Sequence, residues 1–190
     1  MTKRFFRLLA CQLLLVFACA QAHAAEAIDI THAHIEATED GYSLVANFAF
    51  DLSPELQLAV EHTVQLTFKT EIELTRPRWY WKDERAVVTS QLITLSLDAL
   101  TRQYVVRVNN GNRFTLQQTL PSLEDAMVMI HRQRWQIARR GDLKPGETYD
   151  VTVRMYMDQG FFSKPLRVNA LNNADWRLAS KDKKFTYKAE

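Results

Sequence analysis

The sequence predicts a mainly β protein, an immunoglobulin-like or fibronectin-like β-sandwich that carries two short helices. Apolar residues alternate with polar residues from Tyr149 to Met157, which is the pattern of a strand with one buried face. Asp40-Gly41 and the run Asn109–Asn112 are hairpin signals, because Asn, Asp and Gly tolerate the positive φ angles of tight turns. Helix-start signatures at Ser53 and Ser122 stand among these strands.

The Asp40-Gly41 turn joins the first two predicted strands, Ala27–Ala37 and Tyr42–Phe50. Side chains alternate across a strand, so four residues of the first strand share one face: Ile28, Ile30, His32 and His34. Because two isoleucines define that face, we expect both histidines to be partly buried.

Both helix predictions depend on a capping serine. Ser53-Pro54-Glu55 combines a capping hydroxyl, a proline at the first helical position and an acid in the first turn, and this helix ends near His62. Ser122 caps the second helix, over residues 122–132, whose apolar stripe has the spacing of a helix packed on a sheet.

Further strands are predicted where alternation resumes between the turns. One begins at Val64, keeps its parity to Leu74 and is expected to run into the segment Arg76–Arg85. The others are Ala86–Leu97, Gln103–Val108, Arg113–Gln118, Tyr149–Met157, Leu166–Leu171 and Trp176–Tyr187.

The turn Leu143–Gly146 gives the most fold-specific pattern. Its Pro-Gly pair is followed by Tyr149, as in the tyrosine corner of sandwich domains. In that corner the tyrosine hydroxyl bonds a backbone group a few residues upstream. The pattern therefore predicts a hydrogen bond between Tyr149 and the preceding turn.

Residues 1–24 have the pattern of a cleavable export signal. Cationic residues stand at its start, an apolar run spans Leu8–Ala20, and Ala22-His23-Ala24 fits a cleavage site. The run is too short to cross a bilayer as a stable helix. We therefore expect a mature protein of one domain, residues 25–190, in the periplasm and without a transmembrane span after cleavage.

Both cysteines, Cys11 and Cys19, lie within this signal, so the mature domain depends on packing rather than on disulfides. Cys19 also ends a loose lipoprotein cleavage box, and a lipid anchor there is the alternative to cleavage after Ala24, although Phe17 is bulky for such a box. Without residues 1–24 the chain has 21 Lys and Arg against 22 Asp and Glu. No net positive field then favours nucleic acid as a partner.

No catalytic motif stands out in the mature chain, which lacks a Gly-x-Ser-x-Gly elbow, a cysteine nucleophile and a Gly-rich phosphate loop. His32 and His34 point the same way on their strand, but no third ligand has the spacing of a metal site. We therefore expect no enzyme activity and no cofactor. The alternative is a metal-dependent hydrolase that uses these two histidines.

Two aromatic segments are the candidate binding sites. The first is Arg76–Arg85, whose candidate contact residues are Arg76, Arg78, Trp79, Tyr80 and Trp81. On a strand, alternation would bury both tryptophans in the core, which is the outcome we expect; exposed, they would contact a glycan, a lipid or a protein. The second is the pair Phe161 and Phe162, which the loop would either tuck into the core or expose. We expect this pair to be the partner contact.

The sequence resembles a family of exported proteobacterial proteins, the domain of unknown function numbered forty-three-ninety. The segments that carry the resemblance are Arg76–Trp81, Leu100–Tyr104, Leu143–Gly146 and Lys164–Leu171 through Trp176. The resemblance implies an envelope role and a signalling context, because family members are often encoded beside a sensor kinase and its response regulator. It supplies no catalytic residues, and Asp98-Ala99 stands here where family members often have His-Pro.

Together these observations predict an exported binding or protein-interaction module in the periplasm, linked to envelope sensing by a two-component system. The expected partner is an envelope protein such as the periplasmic region of a sensor kinase. The alternatives are the hydrolase at His32 and His34, and a glycan- or lipid-binding domain that uses Trp79–Trp81.

Overall fold

The structure is a computed structural model that describes residues 28–111, 113–164, 166, 173 and 176–190. The predicted signal peptide and most of the predicted strand Leu166–Leu171 lie outside these residues. The described strands are β1 (Asp29–Thr38), β2 (Gly41–Ala49), β3 (Leu66–Arg76), β4 (Glu84–Leu97), β5 (Tyr104–Asn110), β6 (Arg113–Leu120), β7 (Arg132–Arg139), β8 (Thr148–Met157) and β9 (Lys183–Lys188). The helices are α1 (Pro54–Glu61), α2 (Leu123–His131) and a short 3-10 turn, Gln159–Phe161.

The strands form two antiparallel sheets around one hydrophobic core. The smaller sheet has the order β1-β2-β7 and the larger has the order β6-β5-β4-β3-β8-β9. Buried residues of both sheets belong to the same core cluster, for example Leu44 and Trp135 from the smaller sheet and Phe68 and Val153 from the larger. The prediction of a mainly β fold with two short helices is confirmed. The described sheets have three and six strands, whereas the two sheets of a constant-type immunoglobulin domain have four and three. The immunoglobulin-like detail therefore stays a prediction.

A buried hydrogen bond joins the two sheets. Thr70 of β3 donates its hydroxyl to Oε1 of Gln133 on β7 at 2.7 Å, and Nε2 of Gln133 donates to the carbonyl of Ile130 at 3.0 Å. A buried amide without partners would be costly, so these bonds fix where β7 lies over β3.

Both helices begin where their serines predict. Ser53 accepts a hydrogen bond from the Leu56 N–H at 3.3 Å, and Ser122 accepts one from the Asp125 N–H at 3.1 Å. Leu56 and Ile130 turn into the core from the two helices. α1 lies near β4 of the larger sheet, whereas α2 contacts both sheets, through β2 and β7 of the smaller and β5 and β6 of the larger.

The tyrosine corner is confirmed. The Lys144 N–H donates to the Tyr149 hydroxyl at 2.8 Å, and the Tyr149 ring is buried. Gly146 supplies a φ of +82°, which a residue with a side chain rarely adopts. This turn therefore ties the start of β8 to the chain that precedes it.

The prediction that His32 and His34 share a strand face with Ile28 and Ile30 was wrong. Ile30 lies opposite Phe48, but His32 lies opposite Asn47, so β1 contains a bulge at Thr31. A bulge inserts one residue and turns every later side chain to the other face. His32 and His34 consequently lie on the face away from buried Ile35.

Two further strands differ from prediction. Regular pairing of the last strand begins only at Lys183, so the predicted strand from Trp176 was too long. β7 was not predicted at all. It follows α2 directly, since His131 ends the helix and Arg132 begins the strand without an intervening glycine or proline.

Candidate binding site

The loop Pro77–Asp83 joins β3 to β4 and carries three adjacent exposed aromatic residues; we call this loop the aromatic tip. Trp79 is 96% exposed, Tyr80 66% and Trp81 73%. The prediction that both tryptophans lie in the core was therefore wrong. Proline has no N–H to donate, so Pro77 ends the β3–β4 ladder, and the alternation that would bury the two rings ends with it.

The rings of the aromatic tip do not share a plane. Trp79 and Tyr80 meet edge to face, with ring centroids 5.2 Å apart and an angle of 72° between their planes. Such a pair presents an apolar protrusion with a phenol group rather than a flat platform on which one ring could stack.

Two arginines hold the base of the aromatic tip. Arg76 and Arg78 both donate to Oε2 of Glu84, and the Arg78 N–H donates to the Asp83 carboxylate at 3.3 Å. Hydrogen bonds from Arg78 and Arg76 hold the pKa of the Glu84 carboxyl below its usual value. The predicted contact residues Arg76 and Arg78 thus act as a clamp that positions the aromatic rings.

The charged residues of the segment Arg76–Arg85 give it a modest net positive charge. Arg76, Arg78, Lys82 and Arg85 outnumber the two acids, Asp83 and Glu84. The exposed Arg85 is paired with Glu73 at 2.7 Å across the hairpin. The aromatic tip is therefore chiefly an apolar contact surface with a weakly cationic rim.

The tip stands at the braced end of the larger sheet. Thr75, close to the end of β3, pairs with Asp150, which follows Tyr149 of the tyrosine corner. Next to the tip, β3 is hydrogen-bonded to both β4 and β8, whereas Glu84–Ser90 of β4 pairs with β3 alone. The β3 side of the hairpin thus ties the aromatic tip to the tyrosine corner.

The two phenylalanines lie at the other end of the larger sheet and are not an exposed pair. Phe161 is 57% exposed, whereas Phe162 is 4% exposed and packs edge to face on Trp176, with ring centroids 5.6 Å apart. The expectation of a two-ring contact was thus wrong for Phe162. Since β8 ends at Met157 opposite Phe68, near the start of β3, about 27 Å of strand separates this loop from the aromatic tip.

The histidine pair lies on the outer face of the smaller sheet. The rings of His32 and His34 are 4.7 Å apart, Nε2 of His34 is 3.1 Å from the Glu36 carboxylate, and Arg134 also contacts Glu36, at 2.8 Å. Among the residues that the structure describes, no three His, Cys, Asp or Glu side chains are grouped so that they could hold a metal ion. The pair is part of a surface ion-pair cluster.

A shallow cavity of about 550 Å³ on the larger sheet contains a charged network rather than a reactive group. Lys69 and Arg154 contact the Glu71 carboxylate at 2.7 and 2.5 Å, and the Tyr156 hydroxyl donates to it at 3.0 Å. Burial alone would raise the pKa of Glu71, but hydrogen bonds from Lys69, Arg154 and Tyr156 lower it. Lys69, Arg154 and Tyr156 thus all bind the same carboxylate, and each charged group of the network has a partner of opposite charge.

The comparison with known families adds one assignment. Residues 25–186 match the model of a family described as a domain of unknown function, DUF4390. The chain belongs to this family. The match covers the smaller sheet, the tyrosine corner, the aromatic tip and all of the larger sheet except the last two residues of β9. Neither a curated protein nor a solved structure matches the chain.

The described part of this DUF4390 protein contains no helix with the length and apolar character needed to cross a membrane. Sequence reasoning found the residues of the aromatic tip but misjudged their exposure. The signal that could have corrected it was Pro77, since a proline directly after a strand candidate argues against continued pairing.

Proposed function

We propose that this DUF4390 protein is an exported, non-enzymatic binding module of the periplasm that docks on a lipid–water interface through its aromatic tip. The observation that carries the proposal is the exposure of three consecutive large aromatic side chains on one protruding loop. Large exposed apolar patches mark interaction sites, because leaving such area in water is unfavourable.

The residue types of the aromatic tip favour a lipid interface. Trp and Tyr have an apolar ring and a polar N–H or O–H, so they prefer the boundary between headgroups and acyl chains. Lys82 directly follows Trp81 and would remain among the headgroups.

The ring geometry argues against the glycan alternative. A sugar ring stacks on a flat aromatic face, whereas Trp79 meets Tyr80 edge to face at 72°. Three exposed rings, two of which meet edge to face, suit a lipid interface better than they suit one flat ligand.

Sedimentation with lipid vesicles tests the proposal. The protein is purified from cells that express the full-length chain and is mixed with vesicles of phosphatidylethanolamine and phosphatidylglycerol. We expect the wild type to sediment with them and Trp79→Ala/Trp81→Ala to bind at least about 50-fold more weakly, since burying each large apolar side chain contributes about 1.5–3 kcal/mol.

Phe161→Ala is the matched control, because it removes an exposed aromatic ring from the opposite end of the same sheet. We expect it to bind vesicles like the wild type. If both variants bind equally well, or if the wild type ignores vesicles, the lipid proposal is wrong. Retention only on membranes that contain a sensor kinase would then favour the protein partner that the family resemblance implies.

A further inference from the structure

The end strands of the two sheets leave four open edges in the described part of the chain, and the half of β4 next to the aromatic tip, Glu84–Ser90, also pairs with β3 alone. That β4 segment begins with two charged residues, Glu84 and Arg85, and three of the four end strands carry features that oppose pairing with another chain. β1 has its bulge at Thr31. β7 has exposed arginines, among them Arg132 and Arg134, and β9 has exposed lysines, among them Lys183 and Lys188. Bulges and edge charges are the usual protection of a sheet edge against intermolecular pairing.

The fourth edge, β6, has no such protection over its regular part. Residues 116–119 are exposed and read Leu-Gln-Gln-Thr, without a charge or a proline, and Leu116 is 46% exposed. The register with β5 shifts between Val108 and Asn109, so regular pairing covers Leu116–Leu120. An uncharged, regular edge of this kind can accept another strand.

We propose that β6 pairs antiparallel with β6 of a second copy of this chain, around a two-fold axis at Gln118. The absence of edge charges removes the repulsion that two identical strands would otherwise feel. The twelve strands of the two larger sheets would then form one continuous sheet. This inference is independent of the proposed lipid docking.

The register follows from the faces of β6. Gln118 lies opposite buried Val106, whereas Gln117 lies opposite exposed Arg107 and accepts its Nε–H at 3.1 Å. Directly opposed residues of an antiparallel pair share a face, so a two-fold axis must pass through a residue and not between two residues.

An axis at Gln118 gives self-complementary pairs. On the inner face Leu116 of each copy lies opposite Leu120 of the other, and Gln118 lies opposite Gln118 of the second copy. On the outer face Gln117 lies opposite Thr119. Apolar side chains therefore pair with apolar ones and amides with polar groups, which is the arrangement that stabilises a cross-strand pair. An axis at Gln117 would instead oppose Leu116 to Gln118.

Analytical ultracentrifugation over a range of protein concentrations tests whether the dimer forms. Because five residues from each strand make a small interface, we expect a concentration-dependent dimer. Gln118→Lys sets two ammonium groups opposite each other and is expected to weaken dimerisation at least about tenfold. Gln65→Lys, an exposed Gln just before β3, makes the same change in charge away from β6 and should leave the dimer unchanged.

Single-cysteine variants test the register. In the proposed pairing the two Gln118 Cα atoms lie about 4.5–5.5 Å apart, within disulfide reach, and the diagonal Gln117 pair lies about 7–8 Å apart. Mild oxidation of Gln118→Cys should therefore give a disulfide between the introduced thiols, identified by mass spectrometry. Gln117→Cys and Gln65→Cys should give little.

Three outcomes would overturn the inference. One is a monomer at every concentration together with no disulfide in Gln118→Cys. Another is a dimer that Gln118→Lys leaves intact, since its interface would then lie elsewhere. The third is equal crosslinking by Gln117→Cys, which would refute the axis at Gln118.

Discussion

The loops at the two ends of the larger sheet differ in how far their aromatic side chains are buried. At one end Phe162 is buried because Trp176, which returns from the C-terminal segment, packs on it edge to face. At the other end Trp79 and Trp81 extend from the aromatic tip into solvent. Both are loops rich in aromatic residues between strands of one sheet. What separates them is a covering side chain, which local sequence does not reveal.

The strongest test of this comparison is Phe162→Ala. Removal of a buried phenylalanine leaves a cavity, and we expect the free energy of unfolding to fall by about 3–5 kcal/mol. Urea unfolding measures this change. Phe161→Ala removes the exposed neighbour and should stay within about 0.5 kcal/mol of the wild type. If the two variants lowered the free energy of unfolding equally, the difference in burial between Phe162 and Phe161 would be contradicted.

Tyr149→Phe tests the braced end of the sheet. The change deletes the hydroxyl that accepts the Lys144 N–H, so a partly buried donor loses its partner. We expect a loss of about 1–2 kcal/mol in the free energy of unfolding. Tyr80→Phe, which removes a hydroxyl from an exposed ring, is the control and should cost almost nothing. An unchanged unfolding midpoint for Tyr149→Phe would mean that the corner adds no stability.

Acidification should destabilise the charged network around Glu71, between the two ends. Hydrogen bonds lower the folded-state pKa of Glu71 despite its burial, so the folded protein binds fewer protons there than the unfolded chain. Stability from this group is present above about pH 4.3, the ordinary pKa of Glu, and is lost as the pH falls through the lower folded value.

Glu71→Gln should therefore flatten the acid limb of a stability–pH curve measured by urea unfolding, and it should cost stability at pH 7. Glu61→Gln, an exposed substitution on α1, is the control. A wild-type curve and a Glu71→Gln curve that run parallel below pH 5 would show that Glu71 does not carry this dependence.

The smallest expected effect on stability belongs to the aromatic tip. Trp79→Ala and Trp81→Ala remove exposed rings, so each should change the free energy of unfolding by less than about 0.5 kcal/mol while vesicle binding falls. Thermal melts and sedimentation on the same samples separate the two effects. A loss of several kcal/mol would mean that the rings pack in solution and that the two ends of the sheet are alike.

Local signals predicted most of this fold for physical reasons that act within a few residues. Ser53 and Ser122 cap their helices through a hydroxyl three residues from the bonded N–H, and the Pro-Gly turn brings Tyr149 back to Lys144. Such contacts join residues only a few positions apart, so the sequence alone is enough to predict them.

The predictions were wrong where contacts between residues distant in sequence determine the structure. β7 went unrecognised because its buried face begins with a polar residue, Gln133, whose amide is satisfied by Thr70 across the core and by the Ile130 carbonyl. The bulge at Thr31 reverses the face of His32 without any residue type that announces it. Phe162 and Trp79 differ only in what covers them. The site residues were thus named from sequence, but their exposure was not.

The position of the aromatic tip on the β3–β4 hairpin also decides how this domain resists force. A pull applied at Trp79 runs along β3 and β4. β3 is hydrogen-bonded on both sides over Phe68–Thr75, whereas β4 pairs with β3 alone over Glu84–Ser90 and gains β5 as a second neighbour only from Gln91. Ladder bonds lie across the strands, so such a pull loads many of them together in shear instead of breaking them one after another. Of the two strands, β3 is therefore the better placed to carry such a pull, because ladders lie on both of its sides over Phe68–Thr75.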